Sequence, residues 1–459
     1  MVEEDKALEL FAPQKKHKIL MLSDHPLSTS GVGVQARFLI QGLLNTGKYT
    51  FRCLGGAIKH PNYETVAVNQ DFIIKPVDNF GTPDILRSIL VNERPDAVLL
   101  FTDPRQFMWV WEMEDEVRQF CPITYWHVWD NDPYPDFNDV WYRSTDLINC
   151  LSWKTYELVQ PRFPEKTNYI PHAFPKETFY RMTKEEIDTL RKNNFGDKSD
   201  WFVGVWVNRN ATRKMPNDVL NAWKVFLDEL QAKHGHRKAM LIMHTDPNDM
   251  EGPNLIAVTE KLGLSGHVLF SAQKVDFKDM NALYNASDFT VNVSKAEGFG
   301  LATLSTLMVG NPIIALKTGG MTRQVVDHRD GSVHGVALEP AARTLIGSQM
   351  VPYIYDDIVN HLDLAEAYMK VYEMTPEERE ELALKNIAYA DYEFNYHNMI
   401  ADWDKTLDGC IQDYQSGKIT KYWTCQEVMG ATEGVVVPSP KPVAVQPRKL
   451  QPNKPKTVK

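Results

Sequence analysis

The sequence predicts an α/β protein made of two successive domains, and three observations predict it. Short apolar runs recur through both halves of the chain and read as buried strands. Helical stretches lie between several of them, the pattern of a mostly parallel sheet covered on both faces. A polar, charged segment from Lys184 to Asp200 separates two such series.

The first series opens with Lys18–Ser23, a short apolar run, and continues through a loop into apolar residues at helical spacing from Val34 to Leu44. Further strands are expected over Ala97–Phe101, Ile123–Trp126 and Leu147–Leu151. The second series starts at Trp201–Val207 and runs through Met240–Met243, Val268–Phe270, Phe289–Val293 and Pro312–Leu316. The boundary is placed near residue 180. This gives an N-terminal extension over 1–16, an N-terminal domain over 17–180 and a C-terminal domain over 181–385. Helix formers dominate from about Thr375 to Tyr414, so helices are expected to close the fold over 386–430. Past Gly430 the composition shifts to Pro, Val, Lys and Gln, and 431–459 is expected to be a flexible, disordered basic tail. The stretch Arg343–Tyr355 fits no role in this scheme.

The chain has 459 residues, enough for two or three domains with a large core. A net charge of −10 argues against a main body that coats nucleic acid or an anionic membrane. The tail runs the other way. Lys441, Arg448, Lys449, Lys454, Lys456 and Lys459 follow Val435 with no Asp or Glu among them. The five cysteines form no CxxC and suggest neither a zinc knuckle nor a disulfide framework. The opening MVEEDKALELFAPQKKHK does not read as a signal peptide, and no run approaches the ~20 apolar residues of a membrane helix. A cytoplasmic protein is expected.

The most informative segment is Ser294-Lys-Ala-Glu297-Gly298-Phe299-Gly300-Leu301, which continues to Gly310-Asn-Pro-Ile-Ile-Ala-Leu316 and Gly319-Gly320. An apolar strand ends at Val293, and a carboxylate with two glycines stands in the turn to a helix starting near Leu301. Glycines let a ligand approach the backbone, and a helix N-terminus offers N–H groups to an anion or to sugar hydroxyls. The ends of strands in open α/β sheets are where ligands bind. The longer string resembles the donor-site signature of the family 4 retaining glycosyltransferases (glycosyl transferases group 1). By that resemblance Glu297 contacts the donor sugar's hydroxyls. The backbone of Gly298, Phe299, Gly300 and Leu301 then lines the sugar and phosphates. The family's second Glu, which grips the ribose, falls at Ser305, and a hydroxyl replaces two charge-assisted bonds by one neutral bond. The Glu that often follows the Gly-Gly turn is replaced by Met321-Thr322-Arg323.

Arg209 and Lys214 sit five apart in the loop after the first strand of the second half, where two cations can converge on a diphosphate. The family carries an Arg and a Lys at this spacing, and Arg213 is an extra candidate. In the first half, Ser30-Gly31-Val-Gly33-Val-Gln-Ala36 fits a dinucleotide fingerprint, but its loop is long and no acidic residue follows at the required distance. The resemblance makes Gly31 and Gly33 part of a glycine-rich loop reaching toward the donor diphosphate. His127 matches a family histidine that touches the transferred sugar. Asp130 and Asp132 form an Asp-x-Asp in an aromatic, proline-punctuated loop and are read as loop-capping or acceptor-contacting groups. Tyr169-Ile-Pro-His172-Ala173 resembles the family's linker between domains, with His and Ala for its Asn and Gly.

The resemblance implies the GT-B architecture: two Rossmann-like domains facing a cleft, the first on the acceptor side and the second holding the donor. It implies a glycosyltransferase that retains anomeric configuration. No carboxylate nucleophile presents itself, so same-face displacement is expected, and with the Asp-x-Asp in the acceptor-side half no metal is expected, nor any cofactor beyond the nucleotide-diphosphate sugar consumed. The acceptor is left open, and the tail is expected to make weak electrostatic contact with an anionic one. Two alternatives stay beside this: a nucleotide-sugar epimerase or hydrolase on the same fold, and a non-catalytic sugar-nucleotide binder.

Overall fold

The computed structural model describes residues 15–60 and 62–419. The expected extension up to residue 14, residues 420–430 of the closing segment and the basic tail 431–459 lie outside the described residues. The first sheet is formed by β1 (His17–Asp24), β2 (Tyr49–Gly56), β3 (Val66–Asn69), β4 (Phe72–Pro76), β5 (Ala97–Phe101), β6 (Ile123–His127), β7 (Leu147–Cys150) and β8 (Thr167–Tyr169). Its order is β3-β4-β2-β1-β5-β6-β7-β8, parallel except for the β3–β4 edge. Helix α1 (Gly31–Asn45) follows β1, and the Ser30 side chain caps it by accepting from the Gly33 amide.

The second sheet contains β9 (Phe202–Val207), β10 (Ala239–His244), β11 (Val268–Ser271), β12 (Phe289–Asn292), β13 (Ile313–Leu316) and β14 (Gly335–Leu338). Its order is β11-β10-β9-β12-β13-β14, and every pairing is parallel. In both sheets the direction of strand addition reverses beside the first strand, β1 or β9. That places a crevice at the carboxyl ends of β1, β5, β9 and β12.

Several elements depart from the sequence reading. The polar segment read as a divider begins with helix α2 (Lys184–Phe195), started by a capping box between Thr183 and Glu186. None of its residues is buried, so the polar segment between β8 and β9 is a solvated helix. Strands β2, β3, β4, β8 and β14 were not anticipated. Nor was the antiparallel hairpin of β15 (Ala342–Ile346) and β16 (Ile354–Ile358), which occupies the unassigned stretch after Arg343. Between β12 and β13 runs α4 (Leu301–Val309), preceded in the domain by α3 (Pro216–His234).

Helix α5 (Pro376–Glu393) starts ahead of residue 386, and α6 (Tyr396–Gln415) carries the chain back to the first domain. There the Tyr49 hydroxyl donates to Asp404 at 2.7 Å, and Asn149 donates to Thr406 at 3.0 Å. One hydrophobic core runs through both domains, joining Trp126 of β6, Phe299 of the second domain and Trp403 of α6. Among the described residues no helix is long and apolar enough to cross a membrane.

Candidate active site at the domain interface

Strand β12 delivers the chain into a turn over Ser294–Gly300 that leads directly into α4. Gly300 has φ +94°, a left-handed conformation that glycine adopts without strain. Gly319, also left-handed, lies so close that a Cβ there would collide with the carbonyl oxygens of Glu297 and Asp130. The Gly320 amide donates to the Glu297 carbonyl at 2.8 Å, so the two glycine turns lock together. No side chain among the described residues caps α4, which leaves its first amides facing a ligand that reaches this end.

The loop after β9 closes on that turn. Lys295 donates its amide to the Arg213 carbonyl at 2.9 Å, which stitches the loops backbone to backbone. The Lys214 ammonium hydrogen-bonds Oε2 of Glu297, and the side chains are only 9% and 15% exposed. Burial pushes the Glu297 carboxyl up, but Lys214 and Arg213 more than offset this and leave it below the usual range. Burial lowers the Lys214 ammonium from its ordinary value against the pull of Glu297. Arg213 donates to the Ala296 carbonyl at 3.0 Å and lies 3.8 Å from the Asp130 carboxylate.

Of the expected cations, Lys214 and Arg213 therefore meet Glu297, and Arg209 does not join them. Its guanidinium is exposed and forked on Asp249 at 2.7 and 3.1 Å, with Glu251 at 3.8 Å. The loop bends at the 3-10 turn Thr212–Lys214, which aims 213 and 214 at the β12 turn. Ser305 is likewise diverted. Its hydroxyl donates to the Leu301 carbonyl within α4 at 3.0 Å, is almost fully buried, and neighbours the Tyr284 hydroxyl. A hydroxyl that donates to its own helix has no donor left for a ribose and keeps only its acceptor lone pairs.

Gly31 abuts the first residue of α4: a Cβ on it would stand 3.1 Å from Leu301 Cδ1. Gly33 is buried under the Ser28 hydroxyl and the His25 carbonyl, so it shapes the loop. His127 ends β6 fully buried, its ring against Tyr142 and Tyr125 at 4.9 and 5.5 Å. Neither ring nitrogen has a hydrogen-bond partner among the described residues, and burial drives its pKa down to about 3. The ring is therefore neutral at physiological pH. Gly298 lies against Asp130, where a Cβ would stand 2.8 Å from Oδ1. The Phe299 side chain turns inward onto His172 at 4.9 Å and Phe394 at 5.6 Å, which fixes the turn from behind.

Sequence reasoning missed the groups that join the domains around this site. Arg323 stacks 4.0 Å from the Trp153 ring and pairs with the buried Glu393 at 2.7 Å. The Tyr169 hydroxyl donates to the same carboxylate at 2.7 Å. Asn131, also buried, donates to Asp357 of β16 at 2.8 Å, and Asp132 lies 3.4 Å from Arg343. An Arg where the family carries a Glu was the one visible signal. Asp357 and Glu393 carry none in their neighbourhoods. No group of three His, Cys, Asp or Glu able to hold a metal occurs among the described residues.

Comparison with known proteins bears on the same elements. The family model "Glycosyl transferases group 1" matches residues 188–343, from α2 to the start of the hairpin. The N-acetyl-alpha-D-glucosaminyl L-malate synthase of Bacillus anthracis is 25% identical over 265 residues, 57% of this chain and 61% of that protein. A D-inositol 3-phosphate glycosyltransferase 2 of Catenulispora acidiphila is 28% identical over 147 residues, 31% of this chain and 33% of that protein. The chain thus spans less than two thirds of the length of these curated relatives. Among solved structures, Anabaena HepE in complex with UDP and glucose superposes with a TM-score of 0.63 at 18% identity, covering 86% of this chain and 100% of that one. Sucrose-phosphate synthase from Thermosynechococcus elongatus gives 0.65 at 15% identity, over 86% and 99%.

Two parallel-sheet domains meeting over a glycine turn, with these neighbours, define a two-domain GT-B protein. Residues 188–343 of the second domain match the glycosyl transferases group 1 model, and that stretch holds both the β9 loop and the β12 turn.

Proposed function

We propose that this protein transfers a sugar from a nucleotide-diphosphate donor to a hydroxylated acceptor. The observation that carries the reading is the desolvated Lys214–Glu297 pair, with Arg213 beside it, at the glycine turn heading α4. Glu297 accepts hydrogen bonds from the donor sugar, and the α4 amides and the two cations take the diphosphate. The cations then stabilise the charge that develops on the departing nucleotide diphosphate, so transfer needs no metal ion and continues in EDTA. The neutral His127 ring, buried against Tyr142 and Tyr125, reaches the transferred sugar only when the rings that cover it move aside. Positioning supplies the remainder of the rate, with retention at the anomeric carbon by same-face displacement.

UDP-glucose is the first donor to test, because HepE was crystallised with it and the trehalose-6-phosphate protein of E. coli with UDP-2-fluoro glucose. Small hydroxylated anions are the first acceptors, since the relatives' names carry L-malate and D-inositol 3-phosphate. The basic residues of 431–459, outside the described residues, add a weak, salt-screened attraction for an anionic acceptor. A second reading, a binder without turnover, draws on Ser305, whose hydroxyl is committed to its own helix. A thermal-shift panel of UDP-, GDP- and ADP-sugars separates these readings when followed by product analysis with and without acceptor. A donor at a hundred times its Kd stabilises by ~2.7 kcal/mol. Product formed only with acceptor supports transfer, donor consumed alone supports an epimerase or hydrolase, and a shift without chemistry supports the binder. Absence of any shift across the panel refutes a nucleotide-sugar site.

A further inference from the structure

The loop after β6 belongs to the first domain, yet it lies on the donor turn of the second. The Asp130 carbonyl accepts from the Glu297 amide at 3.2 Å. The Asp130 carboxylate lies over Gly298 and 3.8 Å from Arg213, and Lys214 pulls on it electrostatically. Burial raises its carboxyl above the ordinary value, with Glu297 and Asp103 adding to the rise and Arg213 and Lys214 opposing it. The cluster therefore holds two cations, Arg213 and Lys214, and two carboxylates, Glu297 and Asp130. A bound diphosphate would give it excess negative charge, most costly at the desolvated Lys214–Glu297 end, since Arg213 and Asp130 keep 50% and 35% of their side chains exposed.

The β15–β16 hairpin pins this loop. The Tyr355 amide donates to the Asp132 carbonyl at 2.8 Å, and Asn131 Nδ2 donates to the Tyr355 carbonyl at 3.0 Å and to the fully buried Asp357 at 2.8 Å. Arg343 of β15 spans Asp357 at 2.6 Å and Asp132 at 3.4 Å, and Lys154 approaches Asp132 at 3.5 Å. Further along, the Tyr353 hydroxyl donates to Asp136 at 3.1 Å. With Asn131 so held, its neighbour Asp130 has little freedom to leave the turn.

We propose that Asp130 is a further residue of the donor site, a carboxylate of the first domain pinned by the β15–β16 hairpin that competes with the donor's diphosphate for Arg213 and Lys214 and so sets donor affinity. The proposal rests on the sugar-transfer reading of the same turn. When a diphosphate binds, the Asp130 side chain withdraws, and the cations exchange one anionic partner for another. The hairpin opposes that withdrawal, which makes it a determinant of affinity although it carries no donor contact of its own.

Calorimetry with free UDP, GDP and ADP tests this on the wild type, Asp130→Asn and Arg343→Ala, with the melting temperature of each recorded. Asp130→Asn should tighten the nucleotide that binds wild type by about tenfold, the scale of one partly screened charge near the site, and the gain should shrink as salt is added. Arg343→Ala should tighten it in the same direction but less. Should Asp130→Asn fail to fold, Asp130→Ser serves, because it also removes the charge. Equal or weaker binding by the uncharged variants, with wild type binding normally, overturns the competition and leaves the transfer reading standing. Unchanged affinity in Arg343→Ala overturns the hairpin's part. If neither wild type nor any variant binds a nucleotide diphosphate, both the competition and the reading beneath it fail.

Discussion

The two domains bring opposite kinds of chemistry to one place. The second domain supplies a complete ionic site from two adjacent loops, with Arg213 and Lys214 after β9 facing Glu297 after β12. The first supplies a histidine stripped of partners and held neutral by burial, and a carboxylate whose loop is held by the other domain's hairpin. Charge in the second domain is fixed by strands that are neighbours in one sheet, β9 beside β12. Charge in the first reaches the site only through contacts between domains. Groups of the first kind should be essential and stability-bearing, whereas those of the second kind should tune affinity.

The sharpest way to break this contrast is to remove Lys214. Lys214→Met leaves the largely buried Glu297 carboxylate with only the half-exposed Arg213 nearby, and breaking one side of such a pair destabilises by about 3–5 kcal/mol. Urea unfolding should register a loss of that size, and sugar transfer should disappear with it. Adding Glu297→Gln to the same chain should recover much of the stability and none of the transfer. A loss below about 1 kcal/mol would class the pair with exposed surface bridges and make the second domain's site as dispensable as a rim charge.

How much of this was legible depended on how local the signal is. The β12 turn with Glu297, Gly298 and Gly300 was readable because strand, glycine turn and helix start are all written within about a dozen consecutive residues. The β9 loop was half readable. Spacing placed two cations in it, but a left-handed Met215 and the 3-10 turn before it decide which cation points inward, and nothing in the composition encodes that turn. Strands β2, β4 and β8 escaped notice, as did the β15–β16 hairpin, whose β15 is exposed throughout and shows no alternation of buried and open faces. The interface pairs Asn131–Asp357 and Arg323–Glu393 join residues far apart in sequence, so only the fold creates them.

A second test compares the two arginines of the β9 loop. Arg213→Ala should weaken nucleotide-diphosphate binding by about 1.5–3 kcal/mol, the range for a charge-assisted hydrogen bond. Arg209→Ala removes an exposed pair with Asp249 and should change affinity and stability by at most about 1 kcal/mol. Calorimetry on both variants reads this directly. The reverse ranking would mean that Arg209 leaves Asp249 for the ligand and would hand the diphosphate to the spacing the sequence first suggested.

The smallest effect is expected at Ser305, and it is the finest probe of how far the second domain's site extends along α4. The position is where a resembling family places a ribose-binding carboxylate, so a hydroxyl there invites the view that it holds the ribose more weakly. The structure gives that hydroxyl other occupations. It donates to the Leu301 carbonyl one turn back, lies beside the Tyr284 hydroxyl, and is almost wholly removed from solvent. Such back-bonding satisfies the side chain inside its own helix and contributes little to helix stability. Ser305→Ala should therefore keep nucleotide-diphosphate affinity within about 0.5 kcal/mol of wild type, the scatter of substitutions away from a working contact. Its stability should change by no more than about 1 kcal/mol, since one modest hydrogen bond is lost and alanine favours the helix. A tenfold loss of affinity in this variant, with an unchanged melting temperature, would show the hydroxyl turning out toward the nucleotide and would extend the site a full turn beyond Leu301.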